Sequence, residues 1–299
     1  MRDSTTLERV SAITRIPALA DLHPDDLASL AGRAEERRIG PGETYSSEDG
    51  DRAVCLLLSG GLEVGAERRT VAAPALVGAV EALAGVGLPT RAGDEGAHVA
   101  TLDRHALGWV MADVYEVWVA MLRHTASRWL AAERLVAEPP RIHPPPRLDA
   151  PSSLVTRILL LSGADLLGSL RPCTVGRLAS EIEELRLPAA AVLWEAGSTS
   201  DDIFVVVEGA FVRSSGSGSA SGSETLPADP GAVLGLREAL AKALRASRVA
   251  TTADARVLRL SCETLIDELE DDPDAAEALL ALLARRVLDA EATRRSERR

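Results

Sequence analysis

The sequence predicts a mainly β protein with flanking helices, built from two copies of one small β-barrel domain in tandem. Three observations predict it. The chain has 299 residues, about twice a common domain length. A proline-rich segment near its middle has neither helical nor strand periodicity, and the chain follows the same order of segments on both sides of it. We therefore predict domains at 1–137 and 154–299, joined by a linker at 138–153.

Each half opens with an amphipathic segment. In the first half, His23 followed by a proline and two aspartates is typical of a helix start. Apolar residues recur at helical spacing around it, which indicates one buried face. These residues are Ile13, Ile16, Leu19, Leu22, Leu27 and Leu30. The corresponding residues of the second half are Val175, Leu178, Ile182 and Leu185.

Short strand-like runs follow, separated by Gly, Asp and Ser about every ten residues, and this pattern predicts a small barrel or sandwich. In the first half the runs and turns are 38–43, 46–51, 53–58, Gly60-Gly61 and 99–102. In the second half they are 185–193, Glu195-Ala196-Gly197, 203–207, Gly209, 249–252 and 256–260. We interpret the Ser- and Gly-rich segment 214–223 as a loop inside the second barrel.

A shared pattern, Gly-x-x-Glu-Ala-Leu, begins at Gly78 in the first half and at Gly235 in the second. Its recurrence at the same place supports a structural repeat, with a short helical patch at 77–83 and 234–240. Each half then closes with an amphipathic helix, and Asp272 before Pro273 predicts the cap of the second one. The first helix is marked by Leu107, Val110, Met111, Val114, Trp118 and Met121. The second is marked by Ala276, Leu279, Leu280, Leu283 and Val287.

Charge and hydropathy exclude several classes of protein. Acidic residues outnumber basic ones by 45 to 33, a net charge of −12, which disfavours nucleic-acid binding. We interpret the arginines of the tail, from Arg294 onward, as a solvated helix end. The sequence offers neither an apolar run of about 18 residues, as a membrane span needs, nor a signal-peptide core. We expect a cytoplasmic protein without membrane contact.

The side chains that could carry chemistry are scattered along the sequence. Its cysteines lack the spacing of a disulfide framework or a zinc site. Its histidines do not cluster as metal ligands would, and nucleophile-elbow, P-loop and Rossmann motifs are missing. The cysteines are Cys55, Cys173 and Cys262, and the histidines are His23, His98, His105, His124 and His143. We expect no enzyme activity, no metal and no obligatory cofactor.

The order of segments resembles that of cyclic-nucleotide-binding domains, in which a jelly-roll-like double-stranded β-helix is flanked by helices. In the first half the resemblance lies in Pro41-Gly42-Glu43 and the strand 56–64. In the second half it lies in Trp194-Glu195-Ala196-Gly197 and the strand 202–209. The resemblance covers nearly the whole chain in two copies. It implies two tandem domains of this type.

The resemblance also implies a phosphate cassette, in which an arginine and a helix N-terminus hold the cyclic phosphate and a glutamate accepts from the ribose hydroxyl. Both copies depart from it. After Gly78 the glutamate position is Ala79 and the arginine position is Leu88, with Arg91 three residues further on. After Gly235 the glutamate position is Leu236, and the arginine position is Arg245, followed by Ala246 and Ser247. We interpret Glu81 and Glu238 as helix-surface residues.

The sequence supports two functional hypotheses. The leading one is a non-catalytic regulatory or scaffolding protein with degenerate cassettes, which acts by binding another protein. The alternative is a cyclic-nucleotide sensor that binds through Gly235, Arg245 and Ser247. Three tryptophans near the first closing helix, Trp109, Trp118 and Trp129, are either core residues or a stripe that faces a partner. The closing helix of the second half either pairs with a second copy or folds back on its own barrel.

Overall fold

The computed structural model describes residues 6–45, 53–132, 152–164, 166–214, 223–226 and 229–297. The fold divides into two compact units, the first formed by 1–125 with 280–292 and the second by 126–279 with 293–299. Most of the predicted linker, from 138 to 151, lies outside the described residues. The predicted domain bounds therefore stay a prediction.

Strands in the first half of the chain are framed by helices. From residue 6 to 132 the elements are α1 (Thr6–Ile13), α2 (Pro24–Arg33), β1 (Glu35–Ile39), β2 (Thr44–Tyr45), β3 (Val54–Val64), β4 (Arg69–Ala72), β5 (Ala75–Val77), α3 (Ala79–Ala84), β6 (Thr90–Leu102), α4 (Arg104–Asp113) and α5 (Tyr115–Ala132). A 3-10 turn at Pro17–Leu19 lies between α1 and α2. The predicted helix start is present, because the His23 ring accepts a hydrogen bond from the backbone of Asp25.

The strands of the first unit form one antiparallel six-stranded sheet. Its order is β1-β6-β3-β4, with β2 also paired to β6 and β5 to β3. The pairing of β3 with β6 shifts register on both sides of Gly60, where φ is +81° and an added Cβ would lie 2.2 Å from the Gly96 carbonyl oxygen. Only glycine tolerates both this φ and this approach. The bend keeps β3 and β6 paired over their length.

The core of the first unit is formed from alternate residues of these strands. Side chains alternate across a strand, and the register shift at Gly60 lets residues before and after it on β3 face the same core. Leu57 and Leu62 are fully buried there, together with Val64, Val77, Val99 and other side chains of the neighbouring strands. With aromatic residues only 3% of the chain, this core consists mainly of Leu, Val and Ala.

The second half of the chain repeats the arrangement. From residue 152 to 297 the elements are α6 (Leu154–Gly163), α7 (Pro172–Glu181), β7 (Glu183–Leu187), β8 (Val192–Trp194), β9 (Asp202–Glu208), β10 (Phe211–Ser214), β11 (Ser223–Leu226), β12 (Val233–Leu234), α8 (Leu236–Leu240), β13 (Arg248–Thr251), β14 (Ala255–Ser261), α9 (Cys262–Glu270) and α10 (Pro273–Glu297). A 3-10 turn at Leu167–Ser169 lies between α6 and α7. Most of the predicted loop 214–223 lies outside the described residues.

Two antiparallel four-stranded sheets face each other in the second unit. Their strand orders are β11-β10-β13-β8 and β12-β9-β14-β7. The core between them takes Phe211 and Val249 from the first sheet, and Phe204, Val206 and Val257 from the second. The predicted fold class, mainly β with flanking helices in two copies, is confirmed.

A buried ion pair joins β7 and β14. The Arg256 guanidinium donates two hydrogen bonds to one carboxylate oxygen of Glu184, at 2.6 and 3.0 Å, and both side chains are less than a tenth exposed. The other oxygen accepts from the Ser152 backbone N–H at 2.6 Å. Burial alone would raise the pKa of the Glu184 carboxyl, but the hydrogen bonds from Ser152 and Arg256 outweigh it, and the pKa is lowered.

The first closing helix differs from the prediction, because it is broken into α4 and α5 at Val114. The predicted periodicity, from Leu107 to Met121, ran across this break. The second closing helix begins where it was predicted to begin, as α10, and a separate helix, α9, precedes it. Its cap is confirmed, because Asp272, 2% exposed, accepts a hydrogen bond from the Ala275 backbone N–H at 3.1 Å.

Candidate functional site

The short helices α3 and α8 begin in the same way and mark equivalent places in the two units. Each follows a glycine in the left-handed region, with φ of +77° at Gly78 and +78° at Gly235. A side chain disfavours this conformation, which explains why glycine opens the pattern in both copies. The repeat predicted from Gly-x-x-Glu-Ala-Leu is therefore structural.

In the second unit, Arg245 lies against the turn at Gly235. The arginine is 3% exposed. Its guanidinium donates to the carbonyl oxygen of Gly235 at 2.9 Å and to the carbonyl oxygen of Asp202. A Cβ added to Gly235 would lie 2.2 Å from Arg245 Nη1. The predicted neighbours Gly235 and Arg245 are thus brought together, and the arginine occupies the space above the glycine.

The backbone of Arg245 is fixed as well as its side chain. Its N–H donates to the Ser198 carbonyl at 2.9 Å, and its own carbonyl accepts from Gly197 at 2.8 Å. Arg245 therefore connects the turn after β8 to the start of α8. An arginine held at both its backbone and its side chain loses little further entropy when it binds an anion.

An aromatic ring and one carboxylate complete the surroundings of the guanidinium. Arg245 Cζ lies 4.4 Å from the ring centroid of Trp194, which is within range for a cation–π interaction. The nearest carboxylate among the described residues is Glu238, with its Oε2 3.9 Å from Nη1. Burial lowers the pKa of Arg245, and the acidic charges of Glu238 and Asp202 oppose that effect.

The other predicted residues of the second cassette take different positions. Leu236 is 6% exposed, so the position of the family's ribose carboxylate is occupied by a buried apolar side chain. Ala246 is exposed. Ser247 uses its carbonyl oxygen to accept a hydrogen bond from the Trp194 indole at 2.9 Å. Its backbone thus helps to hold the tryptophan.

In the first unit, Leu88 takes the place that Arg245 has in the second. A Cβ added to Gly78 would lie 3.9 Å from Leu88 Cδ2, and Leu88 packs against the core of its sheet. Ala79 is fully buried. Arg91 is held elsewhere, because its Nε donates to the carbonyl oxygen of Gly42 at 2.7 Å. The first cassette is therefore apolar where the second carries a cation.

The interpretation of the two glutamates as helix-surface residues needs correction. Glu81 is 7% exposed because α3 lies buried along its whole length. The Glu238 side chain is 16% exposed and faces Arg245. Sequence reasoning therefore missed Glu238 as a member of the site. The sequence held no signal for this contact, because it depends on the path of the loop that joins α8 to Arg245.

Of the three tryptophans proposed to face a partner, two are buried. Trp118 and Trp129 are each 3% exposed, whereas Trp109 is 64% exposed. Trp118 stacks on Tyr115 with ring centroids 5.1 Å apart, and the Arg237 guanidinium lies 5.4 Å from the Trp129 ring centroid. Of the two alternatives for Trp118 and Trp129, the core role is confirmed and the partner-facing role is wrong. For Trp109 it stays a prediction.

The described residues hold no cluster of three His, Cys, Asp or Glu side chains that could bind a metal ion. None of the described helices combines the length and the apolar character needed to cross a bilayer. What the second cassette offers chemically is a buried, preorganised cation beside an aromatic ring.

Comparison with curated proteins gives a partial similarity. Over 109 residues the chain is 34% identical to uncharacterised NTE family proteins of Mycobacterium bovis and Mycobacterium tuberculosis. The similarity covers 36% of this chain and 18% of those proteins, so this chain matches about a fifth of their length. No family model matches the chain.

Comparison with solved structures gives two protein kinase A regulatory proteins and one cyclic nucleotide-binding-like protein. The regulatory domain of Toxoplasma gondii PKA with cAMP aligns over 92% of this chain and 98% of its own, at 14% identity and a TM-score of 0.33. A regulatory subunit of a cAMP-independent protein kinase A from Trypanosoma brucei aligns over 92% and 91%, at 14% identity and a TM-score of 0.32. A cyclic nucleotide-binding-like protein of Brucella abortus aligns over 38% and 97%, at 28% identity and a TM-score of 0.34.

Of these solved proteins, the one from Brucella abortus is named for the kind of domain that the sequence resembles. The resemblance in fold is confirmed by the repeated order of helices, antiparallel strands and glycine-capped short helix in this chain.

Proposed function

We propose that this chain is a non-catalytic regulatory or scaffolding protein that acts by binding another protein, with both nucleotide cassettes closed by its own side chains. The observation that carries the proposal is the second cassette. There the two terminal nitrogens of Arg245 donate hydrogen bonds to the carbonyls of Gly235 and Asp202, and Leu236 is buried where a ribose carboxylate is expected.

The energetics favour a closed cassette. A cyclic nucleotide would have to replace the bonds of Arg245 to two carbonyls, and its ribose hydroxyl would find an apolar side chain at Leu236. An unpaired buried hydroxyl costs about 1–3 kcal/mol, and hydrogen bonds to a charged group contribute about as much each. In the first cassette Leu88 offers the phosphate no charge at all.

Exposed apolar side chains support the protein-binding part of the proposal. Leu154, Val155 and Leu159 on α6 are 51%, 65% and 68% exposed, and they lie within a turn and a half of one another. Trp109 on α4 is 64% exposed. Exposed apolar groups of this kind are typical of surfaces that bind proteins, and tryptophan is enriched among the residues that dominate such binding.

A cyclic-nucleotide sensor is the second candidate. It is favoured by the burial of Arg245 next to Gly235 and by the position of Trp194, whose ring could stack on a base as it now stacks on the guanidinium. In this candidate the ligand binds in the second unit only.

A titration distinguishes the two candidates. Isothermal calorimetry of the full chain with cAMP and with cGMP, repeated on Arg245→Ala, is expected to give no binding heat up to about millimolar ligand. Binding at tens of micromolar or tighter that is lost in Arg245→Ala would overturn the proposal in favour of the sensor.

The protein-binding part needs its own experiment. Tagged wild-type chain and a Leu154→Ser/Val155→Ser/Leu159→Ser variant are used as baits in extracts of the native organism, and bound proteins are identified by mass spectrometry. We expect a protein retained by the wild type and not by the variant. Identical retention by both would remove α6 from the proposal. Arg286→Ala on α10 serves as a control for an unrelated surface change.

A further inference from the structure

The positive charge of Arg245 is incompletely neutralised. A buried cation is costly unless it is paired and fully hydrogen-bonded. Two carbonyl oxygens and the Trp194 ring contact the guanidinium, but Arg245 Nε is buried and finds no hydrogen-bond partner among the described residues. The carboxylate of Asp202 is engaged by Arg259 at 2.9 Å. Among the described residues this leaves Glu238 as the one carboxylate within 4 Å of the guanidinium.

Glu238 is placed to approach the cation without binding it closely. Its Oε2 is 3.9 Å from Arg245 Nη1, beyond hydrogen-bond distance, and its side chain is 16% exposed, at the edge of the site. The backbone below it is fixed, since the Ser200 hydroxyl donates to the Glu238 carbonyl at 2.8 Å. The carboxylate can therefore turn toward solvent while α8 keeps its place.

We infer that Glu238 is an internal counter-ion that competes with a small anion of the phosphate class for Arg245. This inference rests on the proposed function, because it explains how the second cassette stays closed. An ion pair at 3.9 Å with one partly exposed partner is weak. An anion that accepts hydrogen bonds from the guanidinium would replace it.

Glu238→Gln tests the inference, because it removes the charge and keeps the size of the side chain. Glu195→Gln is the matched control. It makes the same change in net charge in a neighbouring turn, but Glu195 pairs with Arg248 at 3.3 Å rather than with Arg245. Each full-length variant is titrated with inorganic phosphate by calorimetry at constant ionic strength, after circular dichroism and a urea midpoint have shown that it is folded.

We expect Glu238→Gln to bind phosphate about five- to tenfold more tightly than the wild type, Glu195→Gln to bind like the wild type, and Glu238→Gln/Arg245→Ala not to bind. Equal gains in the two glutamine variants would overturn the inference, because they would reflect net charge alone. Binding that persists without Arg245 would also overturn it, as would the lack of binding by Glu238→Gln up to about 50 mM phosphate.

A second series with dimethyl phosphate identifies the source of the anion. If Glu238→Gln gains more affinity for inorganic phosphate, the anion is a free phosphate or a monoester. If it gains more affinity for dimethyl phosphate, the anion is a diester. Either gain supports the counter-ion role of Glu238. The proposed function is judged separately, on the binding of cAMP and cGMP by the wild type, so that the two can fail independently.

Discussion

Gly235→Ala tests the close contact between the start of α8 and Arg245. The substitution adds a Cβ at a φ of +78°, which costs about 1–2 kcal/mol in a residue with a side chain. That Cβ would lie 2.2 Å from Arg245 Nη1, so the guanidinium must move. Moving it breaks the hydrogen bond to the Gly235 carbonyl, which contributes about 1.5–3 kcal/mol for a charged donor. We expect the second unit to lose about 2.5–5 kcal/mol of unfolding free energy.

Gly197→Ala is the matched control for backbone strain. Gly197 has a φ of +80°, and an added Cβ would meet no atom within 4 Å. Its substitution should therefore cost only the strain of about 1–2 kcal/mol. The difference between the two alanine variants isolates the contact with Arg245.

A double-mutant cycle measures that contact directly. In an Arg245→Ala background, Gly235→Ala should lower the unfolding free energy by no more than Gly197→Ala does. The coupling energy between Gly235 and Arg245 should therefore be about 1.5–3 kcal/mol. Urea unfolding followed by circular dichroism gives each free energy. A coupling energy below about 0.5 kcal/mol, within the range of independent sites, would refute the arrangement of Gly235 and Arg245.

Three further predictions concern stability and reactivity. Leu57→Ala should lower the unfolding free energy by about 2–5 kcal/mol, because Leu57 is fully buried. Leu159→Ala, at a 68% exposed position, should change it by less than about 0.5 kcal/mol. Equal effects of the two substitutions in urea titrations would contradict this assignment of the core. Because the pKa of Glu184 is lowered in the folded protein, its carboxylate contributes fully to stability above the ordinary glutamate pKa of about 4.3 and progressively less as the pH falls below it. Glu184→Gln should therefore show a shallower loss of stability with acid than the wild type, and parallel acid profiles would speak against it. A thiol reagent should label Cys173, which is exposed, well before Cys55, since burial raises the pKa of Cys55 to about 12; mass spectrometry of the labelled peptides checks the order.

Local patterns predicted much of the fold. The glycines at 78 and 235 signalled short helices because a left-handed turn needs a residue without Cβ, and both have that conformation. Asp272 before Pro273 predicted a helix cap, because capping likewise depends only on residues that are neighbours in the sequence. The helix α6 was missed because its buried and exposed apolar residues, such as Leu161 and Leu159, lie side by side in an almost continuous apolar run.

The candidate site was predictable in part. Spacing from a glycine placed Arg245 and Leu88 at the same point of the two units, as the contacts of Gly235 and Gly78 with them confirm. The role of Glu238 was not predictable, since it depends on the path of the loop after α8, which turns Arg245 back over the helix. Burial of Glu81 depends likewise on what packs around α3, which sequence spacing does not specify.

The long pairing of β3 with β6 has a consequence for how the first unit folds. Its outer end joins Val54 to Leu102, so a large loop must close before this end of the pairing forms. Folding that depends on such distant contacts is slow compared with helix formation. Until β6 arrives, the apolar run Val54-Cys55-Leu56-Leu57-Leu58 has an open edge, and exposed strands of this composition associate between chains. Refolding yield should therefore fall as protein concentration rises, and dilute, cool conditions should favour recovery of the native protein.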